Sequence, residues 1–256
     1  MIILSLLRAL VAGTCVPPSA FLVRIRKGHE SGGEMRTLVA SEFLSVDGVM
    51  QGPGGPEEDQ SGGFDRGGWM VPHWDDEMRA VLGEWNQAAE SMLLGRKTYE
   101  IFAAHWPYTA KDDPLAAKLN AMPKFVATRS LSKLDWNNST LVNGDVPREV
   151  ARLKREGTGL MLIFGSAQLV QSLAGRHLID EYRLWIFPLL LGEGKRLFVE
   201  GALPLGLALK EARSFGTGVV LQRYVPTGKP AFGSFLNHEP PAIELERRQR
   251  FAASAS

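Results

Sequence analysis

The chain has 256 residues, 45% of them apolar and 22% charged, with 29 Lys and Arg against 28 Asp and Glu. A net charge of +1 excludes a strongly basic nucleic-acid binder and an acidic solvating protein. One cysteine, Cys15, excludes a disulfide framework and a cysteine-based zinc site, and a mean hydropathy near zero excludes a bundle of membrane helices.

Residues 1–34 read differently from the rest: an apolar run interrupted by Arg8, then a basic, glycine-rich run. They lack the cationic start of a signal peptide and the roughly 20 apolar residues of a membrane anchor. We read them as an extension outside the fold. The codons for Gly32-Gly33-Glu34 can form a purine-rich ribosome-binding sequence, which predicts translation from Met35. The expected compartment is the cytoplasm, with no membrane and no nucleic-acid partner.

The predicted elements then follow in order. TLVASEFLSV, residues 37–46, is a buried strand ending at the Asp47-Gly48 turn. A Gly- and Pro-rich loop over residues 51–68 is long enough to serve as a lid, with Trp69 packing one end down. Asp75 or Asp76 caps a helix over DDEMRAVLGEWNQAAE. SMLLG is a strand, residues 96–104 form a helix, and Pro114 opens another over LAAKLNAM. PKFVA is a strand ending at Thr128-Arg129-Ser130. REVARLKREG is an amphipathic helix closed by Gly157. GLMLIFGS is a strand covered on both faces, running into the helix AQLVQSLAG. IDEYRLWIFPLLLGEG is predicted as one long strand, and residues 208–224 as a hairpin around residues 215–218. Residues 226–256 read as a flexible tail with a short helix near residues 242–251.

This alternation predicts an α/β fold over residues 35–225: a mainly parallel mixed sheet with helices on both faces and a C-terminal antiparallel hairpin. In such sheets ligands bind beyond the carboxyl ends of strands, at helix N-termini. Three places match. Gly95 with Arg96, Lys97 and Thr98 offers a close backbone approach, free N–H groups and cationic and hydroxyl donors for a pyrophosphate. Gly165, Ser166, Ala167 and Gln168 repeat the logic. Thr128, Arg129 and Ser130 would suit a 2′-phosphate. Taken singly, each also reads as an ordinary turn. Neither G-x-G-x-x-G after the first strand nor a P-loop is present.

Five segments in order carry a family resemblance: FLSVDGVM at 43–50, LGRKTYE at 94–100, ATRS at 127–130, IFGSAQL at 163–169 and PLLLGEGKRLF at 188–198. From Met35 to about Tyr224 the chain resembles the dihydrofolate reductase superfamily, in the branch holding the reductase domain of bacterial riboflavin biosynthesis. The resemblance implies NADPH as cofactor and hydride transfer to a small planar heterocycle, pterin- or aminopyrimidine-like. It implies that residues 95–98 and 165–168 hold the pyrophosphate and that residues 128–130 hold the adenosine 2′-phosphate. Ala40, Val46, Asp47 and Gly48 would lie near the nicotinamide.

It also implies a carboxylate on the first helix. Asp75, Asp76 and Glu77 are the candidates, though all three equally suit a helix start. Asp76 and Asp47 are the expected catalytic residues, and Trp69 and Glu193 the expected substrate contacts. Trp69, Trp74 and Trp106 could line a pocket for a flat ring or pack in the core. His73 has no second histidine at ligand spacing, so no metal is expected. The riboflavin reductases typically carry an acid before a glycine pair where this chain has Phe164 and Ser166, which puts that reaction in doubt. A homodimer is expected. The rival reading is a non-catalytic NADPH- or nucleotide-binding homodimer of the same fold.

Overall fold

The computed structural model describes residues 35–110, 112–235 and 239–254. The readings on residues 1–34 lie outside them. Eight strands form one sheet: β1 Thr37–Ser45, β2 Ala89–Gly95, β3 Lys124–Ala127, β4 Ser139–Val142, β5 Leu160–Phe164, β6 Glu181–Phe187, β7 Gly206–Ser214 and β8 Val220–Gly228. Their spatial order is β4-β3-β2-β5-β1-β6-β8-β7. The first six in that order pair in parallel; β8 and β7 close the sheet antiparallel. The mainly parallel sheet with a closing hairpin is therefore as expected.

The helices are α1 Asp76–Ala88, α2 Arg96–His105, α3 Pro114–Ala121, α4 Val146–Glu156, α5 Ala167–Ala174 and α6 Ala242–Ser254. Their starts follow from sequence chemistry. The Asp75 side chain accepts the Met78 N–H at 2.8 Å, Asp113 accepts the Leu115 and Ala116 N–H groups, and Asp145 accepts that of Arg148. On one face of the sheet, Val150 of α4 and Leu169, Val170 and Leu173 of α5 pack on Leu38, Ala40, Leu44 and Ile163. On the other, α1, α2 and α3 bring Met78, Val81, Tyr99 and Leu119 against Val39, Met92, Leu94, Leu162 and the aromatic pair Trp185 and Phe187. Both faces are covered, which is why β1 and β5 read as apolar runs without alternation.

Three elements differ from expectation. The long strand stops at Phe187 because Pro188 has no N–H for the ladder. β4 carries no apolar run; it is an edge strand and half-exposed, so its residues show no period. β8 runs past the expected boundary to Gly228, with Pro226 where its ladder with β7 shifts register. The final helix lies where the tail was read, slightly longer.

Candidate functional site

The carboxyl ends of β2, β3 and β5 lead into the three turns singled out above, and the fold brings those turns to one cavity of about 2040 Å³. All eleven of residues 95–98, 128–130 and 165–168 line it. The first turns of α2 and α5 present N–H groups without partners inside their helices, at the positive end of each dipole.

Two of the turns touch. The Gly95 N–H donates to Ser166 Oγ at 2.8 Å, and the Ser166 and Thr98 hydroxyls share a 2.8 Å hydrogen bond. The approach needs glycine on both sides. A Cβ on Gly95 would sit 2.8 Å from Ser166 Oγ, and one on Gly165 would sit 2.9 Å from Thr98 Oγ1. Gly165 and Ser166 are both left-handed, at φ +57° and +63°. For serine that conformation is costly and tends to mark functional sites.

Arg96 pairs with Glu100 of its own helix at 2.9 Å. Lys97 donates to Ser61 Oγ at 2.8 Å and lies 3.6 Å from Asp59. Lys195 also bonds Asp59 and Ser61, so the 51–68 loop is stapled across the cavity mouth. In the third turn, Thr128 Oγ1 accepts the Ser130 and Leu131 N–H groups and shapes the backbone. Arg129 projects there, exposed, with no ion pair to a described residue. Beside these polar turns, Phe43, Met50, Trp74, Phe102, Trp106 and Phe164 make an apolar wall, with Phe43 and Trp74 edge to face at 6.0 Å.

Other expected site residues are not on that wall. Ala40 is fully buried in the core beneath it. Val46 points outward, 60% exposed, and Gly48 turns the chain at φ +80°. Asp76 is entirely solvent-exposed and faces Arg79, because it lies at the outer start of α1 rather than its inner face. Trp69 is buried against Phe187, its indole N–H donating to the Gln51 carbonyl at 2.8 Å. Glu193 pairs with Arg66 at 3.0 Å and lines a separate, smaller recess.

Asp47 is occupied structurally. It accepts from Ser45 Oγ and the Leu191 N–H on one oxygen and from the Gly192 N–H and Arg196 on the other. Desolvation pushes its carboxyl up, but the bonds from Ser45, Leu191 and Gly192 outweigh that and hold it well below the usual carboxylate range. Asp47 is thus a fixed anion tying β1 to the segment after β6. His73 sits edge-on to Phe187, and no group of three metal-ligating side chains exists among the described residues.

The sequence reading missed three buried polar residues that line the cavity, Ser41 and Asn86 on the side of the aromatic wall and Glu42 on the side of α4 and α5. Ser41, Glu42 and Asn86 are 3%, 1% and 2% exposed, and Ser41 Oγ, Glu42 Oε1 and Asn86 Oδ1 have no hydrogen-bond partner. Glu42 did carry a signal: a glutamate inside a strand already read as buried. Ser41 and Asn86 carried none.

Residues 36–221 match the RibD C-terminal domain family, and the chain belongs to it. It is 26% identical over 192 residues to the uncharacterized protein YyaP of Bacillus subtilis, a match spanning 73% of this chain and 93% of YyaP. Among solved structures, a provisionally assigned riboflavin biosynthesis protein from Shewanella sp. PV-4 superposes with a TM-score of 0.55 at 20% identity, covering 75% of this chain and 99% of that one. A diaminohydroxyphosphoribosylaminopyrimidine deaminase/5-amino-6-(5-phosphoribosylamino)uracil reductase from Thermotoga maritima superposes at 0.52 with 11% identity, covering 75% of this chain and 57% of that one. These likenesses show a shared fold. No helix among the described residues is long and apolar enough to cross a membrane.

Proposed function

We propose that this protein is an NADPH-dependent reductase that transfers hydride to a small planar heterocycle, pterin- or aminopyrimidine-like. One observation carries the reading: three turns whose chemistry suits phosphates open into a single cavity of about 2040 Å³. One small-ligand pocket is typically about 300–1,000 Å³. The space therefore accommodates a dinucleotide and a second small molecule side by side. The donor set fits the cofactor. The helix starts at residues 95–98 and 165–168 would hold the pyrophosphate, Arg129 with Thr128 and Ser130 the 2′-phosphate, and the aromatic wall a flat ring. NADPH, when bound, supplies the hydride; the chain binds and orients both partners and narrows water access with the stapled loop.

Thermal unfolding of the full chain with NADPH, NADH or no ligand tests this. Saturation at 100 times Kd adds about 2.7 kcal/mol, and a domain of this size gains roughly 2–4 °C per kcal/mol. The expected result is a rise of several degrees with NADPH and a smaller one with NADH. The difference should vanish in Arg129→Ala. No rise with either cofactor refutes the reading.

A further inference from the structure

One acid on the cavity wall has no structural partner to explain it. Glu42 lies near the end of β1, the strand between β5 and β6. Alternation points it to the face of Ala40 and Leu44, both core residues. Its register partner on β6 is Leu184. On β5, Ser41 pairs with Phe164, so Gly165 of the second helix-start turn lies beside Glu42. One carboxyl oxygen takes the Gly165 N–H; Oε1 takes nothing. Among the described residues no cation neutralises it. The segment after β6 packs on this face through Gln171, which donates to the Arg196 and Leu197 carbonyls, and it brings Lys195 and Arg196. Lys195 is bonded to Asp59 and Ser61, and Arg196 to Asp47. On this face β6 adds the phenol of Tyr182, which burial pushes up to about 12 and keeps neutral, and α5 adds the uncharged Gln171; Arg176 comes only after the end of α5, and Glu200, also on the cavity lining, is another acid.

Burial pushes the Glu42 carboxyl far above the usual carboxylate range, and the Gly165 N–H pulls less strongly the other way. A carboxylic acid that keeps its proton at neutral pH has an O–H to give. An unpaired buried acid is costly where an apolar side chain would pack without penalty. Here it borders the cavity, next to the glycine of a cofactor turn.

We propose that Glu42 is the proton donor of the reduction, a role that rests on the reductase reading above. The Glu42 O–H bond breaks and its proton joins the nitrogen of a substrate C=N bond whose carbon receives the hydride. The substrate gains the two electrons carried by that hydride, and the nicotinamide is left oxidised. Glu42, now a carboxylate, regains a proton from water entering the open cavity.

Infrared difference spectra of the full chain, wild type against Glu42→Gln, test this with NADP⁺ titrated in and its binding followed separately by tryptophan fluorescence. The expected result is a protonated-carboxyl band at neutral pH that is missing in Glu42→Gln and shifts when NADP⁺ binds. Oxidation of NADPH by a dihydropterin or aminopyrimidine acceptor should fall roughly 10²–10⁴-fold in Glu42→Gln, with NADPH affinity unchanged. An ionised Glu42 at neutral pH, or a band indifferent to bound NADP⁺, overturns the assignment while the cofactor reading stands. Failure of NADP⁺ to bind overturns both.

Discussion

Glu42 and Asp47 belong to one strand and the turn that follows it, yet their surroundings push them in opposite directions. For Glu42 the folded pKa lies above the unfolded one. Its contribution to stability is therefore complete below the ordinary carboxylate pKa and is lost as pH rises toward the folded value, at about 1.4 kcal/mol per pH unit. Urea unfolding across that window should show this loss in the wild type and its absence in Glu42→Gln; equal slopes would contradict it. The paired turns make a second expectation. Gly165→Ala must hold a left-handed alanine whose Cβ meets Thr98 Oγ1 at 2.9 Å. It should lose about 1–2 kcal/mol of stability and weaken NADPH binding more than tenfold. Calorimetry and a cofactor titration check the two effects. At this scale the three turns that meet at the cavity were legible, because glycine, hydroxyl and cationic residues at strand ends announce themselves. It did not show which acid faces the cavity. Asp76 looked right by position on the first helix, but only the helix register reveals that it points to solvent.

Among the elements, the 51–68 loop is tied to the segment after β6 and to α2 through one anion, Asp59, besides the bonds of Gln51 and Arg66. Asp59 is bonded by Lys195 and Ser61 and lies near Lys97. Desolvation raises its pKa, but the Lys195 and Ser61 bonds win and bring it from 3.8 to about 2. The staple is therefore complete above the ordinary Asp pKa and lost as pH falls through about 2. Asp59→Asn should raise hydrogen exchange across residues 51–68 at neutral pH without changing exchange in β1 or β5. Protection unchanged in the loop would show that other contacts hold it. Lys124 plays a similar part at the far edge of the sheet. It is fully buried, donates to the carbonyls of Asn120, Met122 and Asn137 at 3.0, 2.7 and 3.1 Å, and lies 4.2 Å from the Trp136 ring. Lys124→Met leaves three carbonyls short of a donor and should cost at least about 2 kcal/mol in urea unfolding. Most elements were legible because caps, prolines and apolar periods mark them. β4 was not, because its pairing with β3, rather than its own residues, makes it a strand.

At the scale of the whole molecule, the proposed function depends on three turns that are far apart in sequence meeting at one end of the sheet. Strand order β3-β2-β5-β1 places the turns after β3, β2 and β5 side by side, with β1 delivering Ser41 and Glu42 beside them. The alternation of strands and helices and the family motifs made the sheet and the shared cavity foreseeable. The depth of the wall was not, because three unpaired polar groups become visible only when packing has stripped them of water. Titration of NADPH into the full chain, followed by the fluorescence of the reduced nicotinamide, tests the central claim most directly. The expected result is saturable binding at one site per chain, competed by NADP⁺ and much weaker for NADH. Fluorescence that rises without saturation, or NADPH and NADH binding alike, would contradict it.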